Sequence, residues 1–173
     1  QLSDSFINTP VLSLRTGGPV GTTVSPIINP NNLKIEGFYC MDRFSKNRLV
    51  LLAQEIRDIV PDGIVVNDHE AMSEPDELVR LKEIIALQFE LLGKPVITNN
   101  RKRLGKVNDY AIDTSSLYIQ KLYVSQSIMK SLNSGQISIG RSQILEITHK
   151  KIVVQEPTVS AQEVIPASRP ATA

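Results

Sequence analysis

A chain that carries the same unit twice must fold in a way that houses both copies, and this chain does carry one twice. Displaced by 84 residues, Gly21 falls on Gly105, Ile28 on Ile112, Leu33 on Leu117, Ile35 on Ile119 and Tyr39 on Tyr123. Displaced by 88, Ile56 falls on Ile144, Ile59 on Ile147, and Ile64-Val65-Val66 on Ile152-Val153-Val154. Pro10-Val11 meets Pro95-Val96 at 85. Order is kept and the offsets differ only where loops of unequal length belong, so the pattern reads as a duplication.

Each copy is a series of short apolar runs cut by turn residues, which is the pattern of strands. In the first copy the runs are Val11–Leu14, Val24–Ile28, Leu33–Met41, Leu49–Ala53 and Ile64–Val66. The second has Val96–Thr98, Val107–Ile112, Leu117–Val124, Gln136–Ile139 and Ile152–Val154. Gly17-Gly18-Pro19, Asn29-Pro30-Asn31-Asn32, Asn99-Asn100-Arg101-Lys102, Asp113-Thr114-Ser115-Ser116 and Asn133-Ser134-Gly135 supply turn chemistry between them. So few short strands leave an open sheet with bare edges and an uncovered face, and closing the sheet removes both problems. The expected fold class is therefore mainly β. It comprises two small closed β-barrels, residues 6–72 and 93–156, joined by one α-helix over 73–92 and followed by a flexible tail over 157–173.

The joining helix rests on Ser73-Glu74-Pro75-Asp76-Glu77, a cap with an acidic first turn and an early proline. Leu78, Leu81, Ile85, Phe89 and Leu92 then recur at three- and four-residue steps, widened by Ile84 and Leu91, until Gly93-Lys94-Pro95 ends the run. Such a stripe packs on the barrels or forms a coiled-coil seam. The tail mixes Pro157, Pro166 and Pro170 with small and polar residues, which bury backbone poorly. Gly21 and Gly105 stand where the first hairpin of each copy turns back, as structural turn glycines or as a cradle for phosphate.

These residues bring a family into view. Leu92-Gly93-Lys94-Pro95-Val96, Leu104-Gly105-Lys106-Val107, Ala111-Ile112-Asp113, Leu122-Tyr123-Val124, Ile144-Leu145-Glu146-Ile147 and Ile152-Val153-Val154 resemble the successive motifs of the PRC-barrel domain. That domain is the small barrel of the photosynthetic reaction-centre H subunit and of RimM-type ribosome maturation proteins. The first copy departs from it with Val20-Gly21-Thr22-Thr23-Val24 at the hairpin and Asn29-Pro30 further on. The resemblance implies a non-enzymatic interaction module, one that docks on RNA-processing, membrane or cell-division assemblies and has no catalytic, cofactor or metal residues to transfer.

Charge is distributed unevenly. Net charge over the whole chain is +1, but residues 93–155 hold 10 basic and 3 acidic side chains, whereas 6–72 hold 6 and 7. The basic excess gathers at Arg101, Lys102, Arg103 and Lys106, and again at His149, Lys150 and Lys151. If those loops share one barrel end they form a patch for phosphate oxygens of RNA or acidic lipid; otherwise they are charged turns that keep the protein soluble.

Other chemistry is sparse. His69, between Asp68 and Glu70, has no second His or Cys nearby in sequence to complete a metal site. Cys40 is the one cysteine, so an intramolecular disulfide is excluded, and its apolar strand marks it as core. No apolar run approaches the ~20 residues of a membrane span, and no basic-then-apolar leader opens the chain. It begins at Gln1, so a processed start is left open. The expectation is a cytoplasmic or membrane-peripheral protein with no enzymatic activity and no cofactor. A scaffold or adaptor role with a protein partner comes first. An RNA or ribosomal particle and an anionic membrane surface are the alternatives.

Overall fold

A computed structural model describes residues 1–125 and 135–156. The expected tail, and Asn133 and Ser134 of the expected turn, lie outside the described residues. The first copy contains β1 (Pro10–Ser13), β2 (Pro19–Asn29), β3 (Lys34–Asp42), β4 (Arg48–Leu52), β5 (Ile56–Val60), β6 (Gly63–Val66) and β7 (Met72–Ser73). After α1 (Lys82–Ala86), the second contains β8 (Pro95–Thr98), β9 (Arg103–Ile112), β10 (Ile119–Ser125), β11 (Gln136–Gly140), β12 (Ile144–Ile147) and β13 (Ile152–Val154).

The repeat in sequence is a repeat in topology. The first sheet runs β5-β6-β1-β2-β3-β4-β7 and the second β11-β10-β9-β8-β13-β12, which is the same order without β7, read from the other edge. In each, the opening strand pairs antiparallel with the next and parallel with a later one, β6 or β13: Val11 lies beside Ile64, and Val96 beside Ile152. Turn chemistry repeats as well. Asn29 Oδ1 accepts from the Asn31 amide at 3.0 Å, and Asp113 Oδ1 from the Ser115 amide at 3.2 Å. The amides of Leu33 and Leu117 then return to the carbonyls of Asn29 and Asp113, both at 2.8 Å.

Three expectations are corrected. The sheets do not close into barrels. Closure would need β7 to meet β5 in the first sheet and β11 to meet β12 in the second, and neither ladder is present among the described residues. From β4 to β5 and from β11 to β12 the chain rounds a corner through single 3-10 turns, Ala53–Glu55 and Arg141–Gln143. Closure is also unnecessary, because the two copies do not keep separate interiors. Buried side chains from Val11, Ile35, Phe38 and Ile64 through Val96, Leu122, Ile139 and Val154 form one contiguous cluster. Apolar faces that share a core are already out of water.

The copies meet at equivalent residues. The Ile119 amide donates to Leu33 O and the Ile35 amide to Leu117 O, each at 2.9 Å, so the contact is reciprocal. Arg141 fastens this joint from the second copy, donating to the carbonyls of Ile119 at 3.2 Å and Asn32 at 2.5 Å. At the start of the chain, Leu2 bridges to Ala111 and Ser3 binds Asp109, after which Phe6 enters the core and stacks on Phe38 at 5.6 Å.

The helix over 73–92 does not form. Pro75–Glu77 is one 3-10 turn, Leu78 leaves helical geometry at φ −94 and ψ 71, and α1 spans only five residues before Gln88 turns at φ +44. No side chain caps α1. The apolar spacing instead serves a chain laid over a sheet. Leu78, Leu81, Ile84 and Ile85 cover Ile27 and Val50 on the outer face of the first sheet. Leu91 drops into the main core, while Val79 remains 76% exposed. Among the described residues no helix is long and apolar enough to cross a membrane.

Candidate functional site

The basic residues singled out by the sequence occupy two places. Arg101, Lys102 and Arg103 form the β8–β9 hairpin, closed by the Thr98 amide on Lys102 O at 2.8 Å and the Lys102 amide on Thr98 Oγ1 at 3.1 Å. His149, Lys150 and Lys151 form the β12–β13 turn. Thr148 shapes it, its Oγ1 accepting from the amides of Lys150 at 3.3 Å and Lys151 at 3.0 Å. Lys106 pairs with Pro95, and β13 runs parallel to β8, so Lys106 and the 149–151 turn share the start of β8. Arg103 pairs with Ile97, so the 101–103 hairpin lies at the opposite end, roughly 10 Å along the strand. The cations therefore do not share one end of the sheet. All seven side chains are exposed, and none forms an ion pair with a described residue.

Lys94 is the cation that sequence reasoning passed over. It is buried, lies over the Phe89 ring at 4.7 Å and donates to His149 O at 2.8 Å. Burial pulls its ammonium below the usual lysine range, against the opposing pull of Glu90. Lys94 thus ties the 149–151 turn to the segment that leads into β8.

The first copy carries a hairpin at the corresponding place, one residue longer and with different chemistry. Arg101-Lys102-Arg103 stands where Gly17-Gly18-Pro19 stands 84 residues earlier. The Ser13 amide reaches Gly18 O at 3.0 Å as the Thr98 amide reaches Lys102 O. Gly17 has φ +71 and Arg101 φ +64. Left-handed backbone is cheap for glycine and costs a branched-Cβ-free L-residue such as arginine on the order of 1 kcal/mol. Gly21 and Gly105 lie inside β2 and β9 rather than at these turns, opposite Val11 and Val96 and beside a break in register. Gly105, at φ +145, needs its missing Cβ for that conformation.

His69 is not a lone loop histidine. Its Nε2 lies 2.8 Å from Asp42 Oδ1, and its ring meets the Phe44 edge at 5.3 Å. The buried Asp42 also accepts from the amides of Phe44 at 3.2 Å and Ser45 at 3.0 Å, and from the Ser45 hydroxyl. Burial pushes the Asp42 carboxyl up, but these donors together hold it well below the usual carboxylate range. Beside it, Asp68 accepts from Ser13 Oγ at 3.0 Å and pairs with Arg15 at 3.0 Å. The Ser45 hydroxyl donates to the carboxylate, not to the imidazole, so the trio braces the β3–β4 hairpin and does not activate a nucleophile. No group of three or more His, Cys, Asp or Glu side chains among the described residues is placed to hold a metal. Cys40 is fully buried, and burial pushes its thiol up to about 12.

No family model matches the chain, and no curated protein is significantly similar to it.

Proposed function

We propose that the chain is a non-enzymatic adaptor that docks on another macromolecule through the charged turns of its second copy. The observation that carries this reading is the exchange of Gly17-Gly18-Pro19 for Arg101-Lys102-Arg103 at the corresponding hairpin, which is one residue shorter in the second copy. Left-handed backbone is also carried without glycine at Leu33, Lys46 and Leu117, so the reading rests on the gain of three cations and not on backbone strain. The motif likeness to PRC-barrel domains, set apart from closure, supports the same class. An acidic protein surface is the partner this reading favours. Two of the tyrosines of the second copy are poor platforms for single-stranded nucleic acid: Tyr110 is buried, and the Tyr118 ring carries Lys34 at 5.8 Å and Arg141 at 4.8 Å. RNA is the second reading, favoured by three consecutive cations without ion-pair partners. A cytoplasmic or membrane-peripheral setting belongs to the same proposal.

Titration of the full chain against poly-L-glutamate, a 20-nucleotide RNA and phosphatidylserine vesicles tests it. Binding to poly-L-glutamate should weaken with salt and fall about tenfold or more when Arg101, Lys102 and Arg103 become Ala. Tighter binding to RNA, with a salt slope near −0.7 per phosphate contacted, replaces the first reading with the second. A triple variant that binds all three as the parent does overturns both.

A further inference from the structure

Away from the basic turns, a cleft of about 760 Å³ opens between the outer face of the first sheet and the chain that crosses it. Ile27 and Tyr39 form its floor, Ile84, Ile85 and Phe89 one wall, and Tyr110 of β9 closes it from the second copy. The volume falls in the range of small-molecule sites, and the lining mixes apolar and polar surface in nearly equal parts.

Tyr110 and Arg48 are, with Ser25, Gln88 and Glu90, lining side chains that make no hydrogen bond with a described residue. Tyr110 is 3% exposed, and its hydroxyl makes no hydrogen bond with a described residue, although no side-chain polar atom among them is sealed off without a partner. Tyr110 is among the residues that line the cleft, which is where its hydroxyl can meet a ligand. Arg48 is the diagonal neighbour of Tyr39 across β3 and β4, which places its guanidinium over the Tyr39 ring at 3.9 Å. Stacking fixes the plane of the guanidinium and leaves its N–H edge free, and it has no carboxylate partner among the described residues.

The surroundings assign these groups different tasks. Tyr110 sits near Asp109 and Asp4, and burial followed by those two carboxylates keeps its hydroxyl protonated. It is a donor beside negative charge, suited to a neutral oxygen and not to an anion. Arg48 is suited to a carboxylate or another acidic head. Glu90, which also lines the cleft, is offset by the neighbouring Lys94. We propose that this cleft binds an amphipathic small molecule with an acidic group held by Arg48 and a hydroxyl or carbonyl oxygen held by Tyr110. The site is independent of the basic turns and of any macromolecular partner.

The test is titration of the full chain with 10-hydroxydecanoate, decanoate and decane-1,10-diol, followed by amide NMR shifts. Saturable shifts are expected at Ile27, Tyr39, Ile85 and Phe89, with 10-hydroxydecanoate the tightest. Arg48→Gln should weaken both acids about tenfold and leave the diol unchanged. Tyr110→Phe should erase the advantage of 10-hydroxydecanoate over decanoate and leave decanoate as it was. Parent-like shifts at Val11, Ile64, Val96 and Ile152, in strands that carry neither substitution, report that each variant is folded. Shifts confined to the basic turns, equal affinities for the three compounds, an Arg48→Gln variant that binds the acids normally, or no saturation up to about 1 mM each overturn the proposal.

Discussion

Arg101 holds, at φ +64, the place in the β8–β9 hairpin that Gly17 holds at φ +71 in the β1–β2 hairpin. Two corresponding hairpins of unequal length thus both place a residue in left-handed backbone, one a glycine and the other a cation. Arg101→Gly should raise stability by about 1 kcal/mol, seen as a melting temperature roughly 2–4 °C higher. The same variant should bind poly-L-glutamate less tightly. A variant that is less stable than the parent would remove the argument from strain.

Arg141 joins the copies by donating to the carbonyls of Ile119 and Asn32, 22 and 109 residues away. Arg141→Ala leaves both acceptors without a charged donor and should cost about 1–3 kcal/mol. Hydrogen exchange should locate the loss, with protection falling first at the amides of Ile35 and Ile119, which carry the reciprocal bonds. Uniform loss of protection over the whole chain would mean that the joint opens only with global unfolding.

Asp42 makes stability depend on acidity. Its carboxyl is held below the ordinary value by the Ser45, His69 and Phe44 donors. A depressed pKa stabilises the fold above the unfolded-state value, about 3.9, and that contribution is lost as pH falls through the folded value. Chemical denaturation should show stability declining below about pH 4. Asp42→Asn should be less stable at pH 7 and flatter in that window. An unchanged slope would mean that other carboxylates carry the acid sensitivity.

Phe6 stacks on Phe38 and is fully buried, although it belongs to the segment that precedes the first strand. Phe6→Ala should cost about 3–5 kcal/mol by equilibrium unfolding, the range for emptying an aromatic core site. A cost under about 1 kcal/mol would show that the segment is an accessory strap.

Much of the local architecture was legible in residues. Turn chemistry at Asn29 and Asp113 announced the β2–β3 and β9–β10 hairpins, and the paired Ile-Val-Val segments announced β6 and β13. These signals act over four or five neighbouring positions and survive any tertiary context. The helix was misread for a related reason. Leu78, Leu81 and Ile85 have helical spacing, but their partners are Ile27 and Val50 on a sheet, and Leu91 serves a different core. Periodicity records that residues are buried, not by what. The basic cluster was legible as charge, while its division between the two ends of β8 depended on the parallel pairing with β13. Neither Tyr110, Arg48 nor Arg141 carries any motif that would mark it.

From the order of residues alone follow the duplication, the strand-rich character and the contrast in charge between the copies. They follow because apolar alternation, turn formation and charge are properties of short stretches. Folding in three dimensions settled that the sheets stay open and that one core serves both. It also set the Leu33 and Leu117 carbonyls against each other's strands. Those outcomes arise from contacts between residues about 84 positions apart, where burying two apolar faces together removes the need for each to curl around itself.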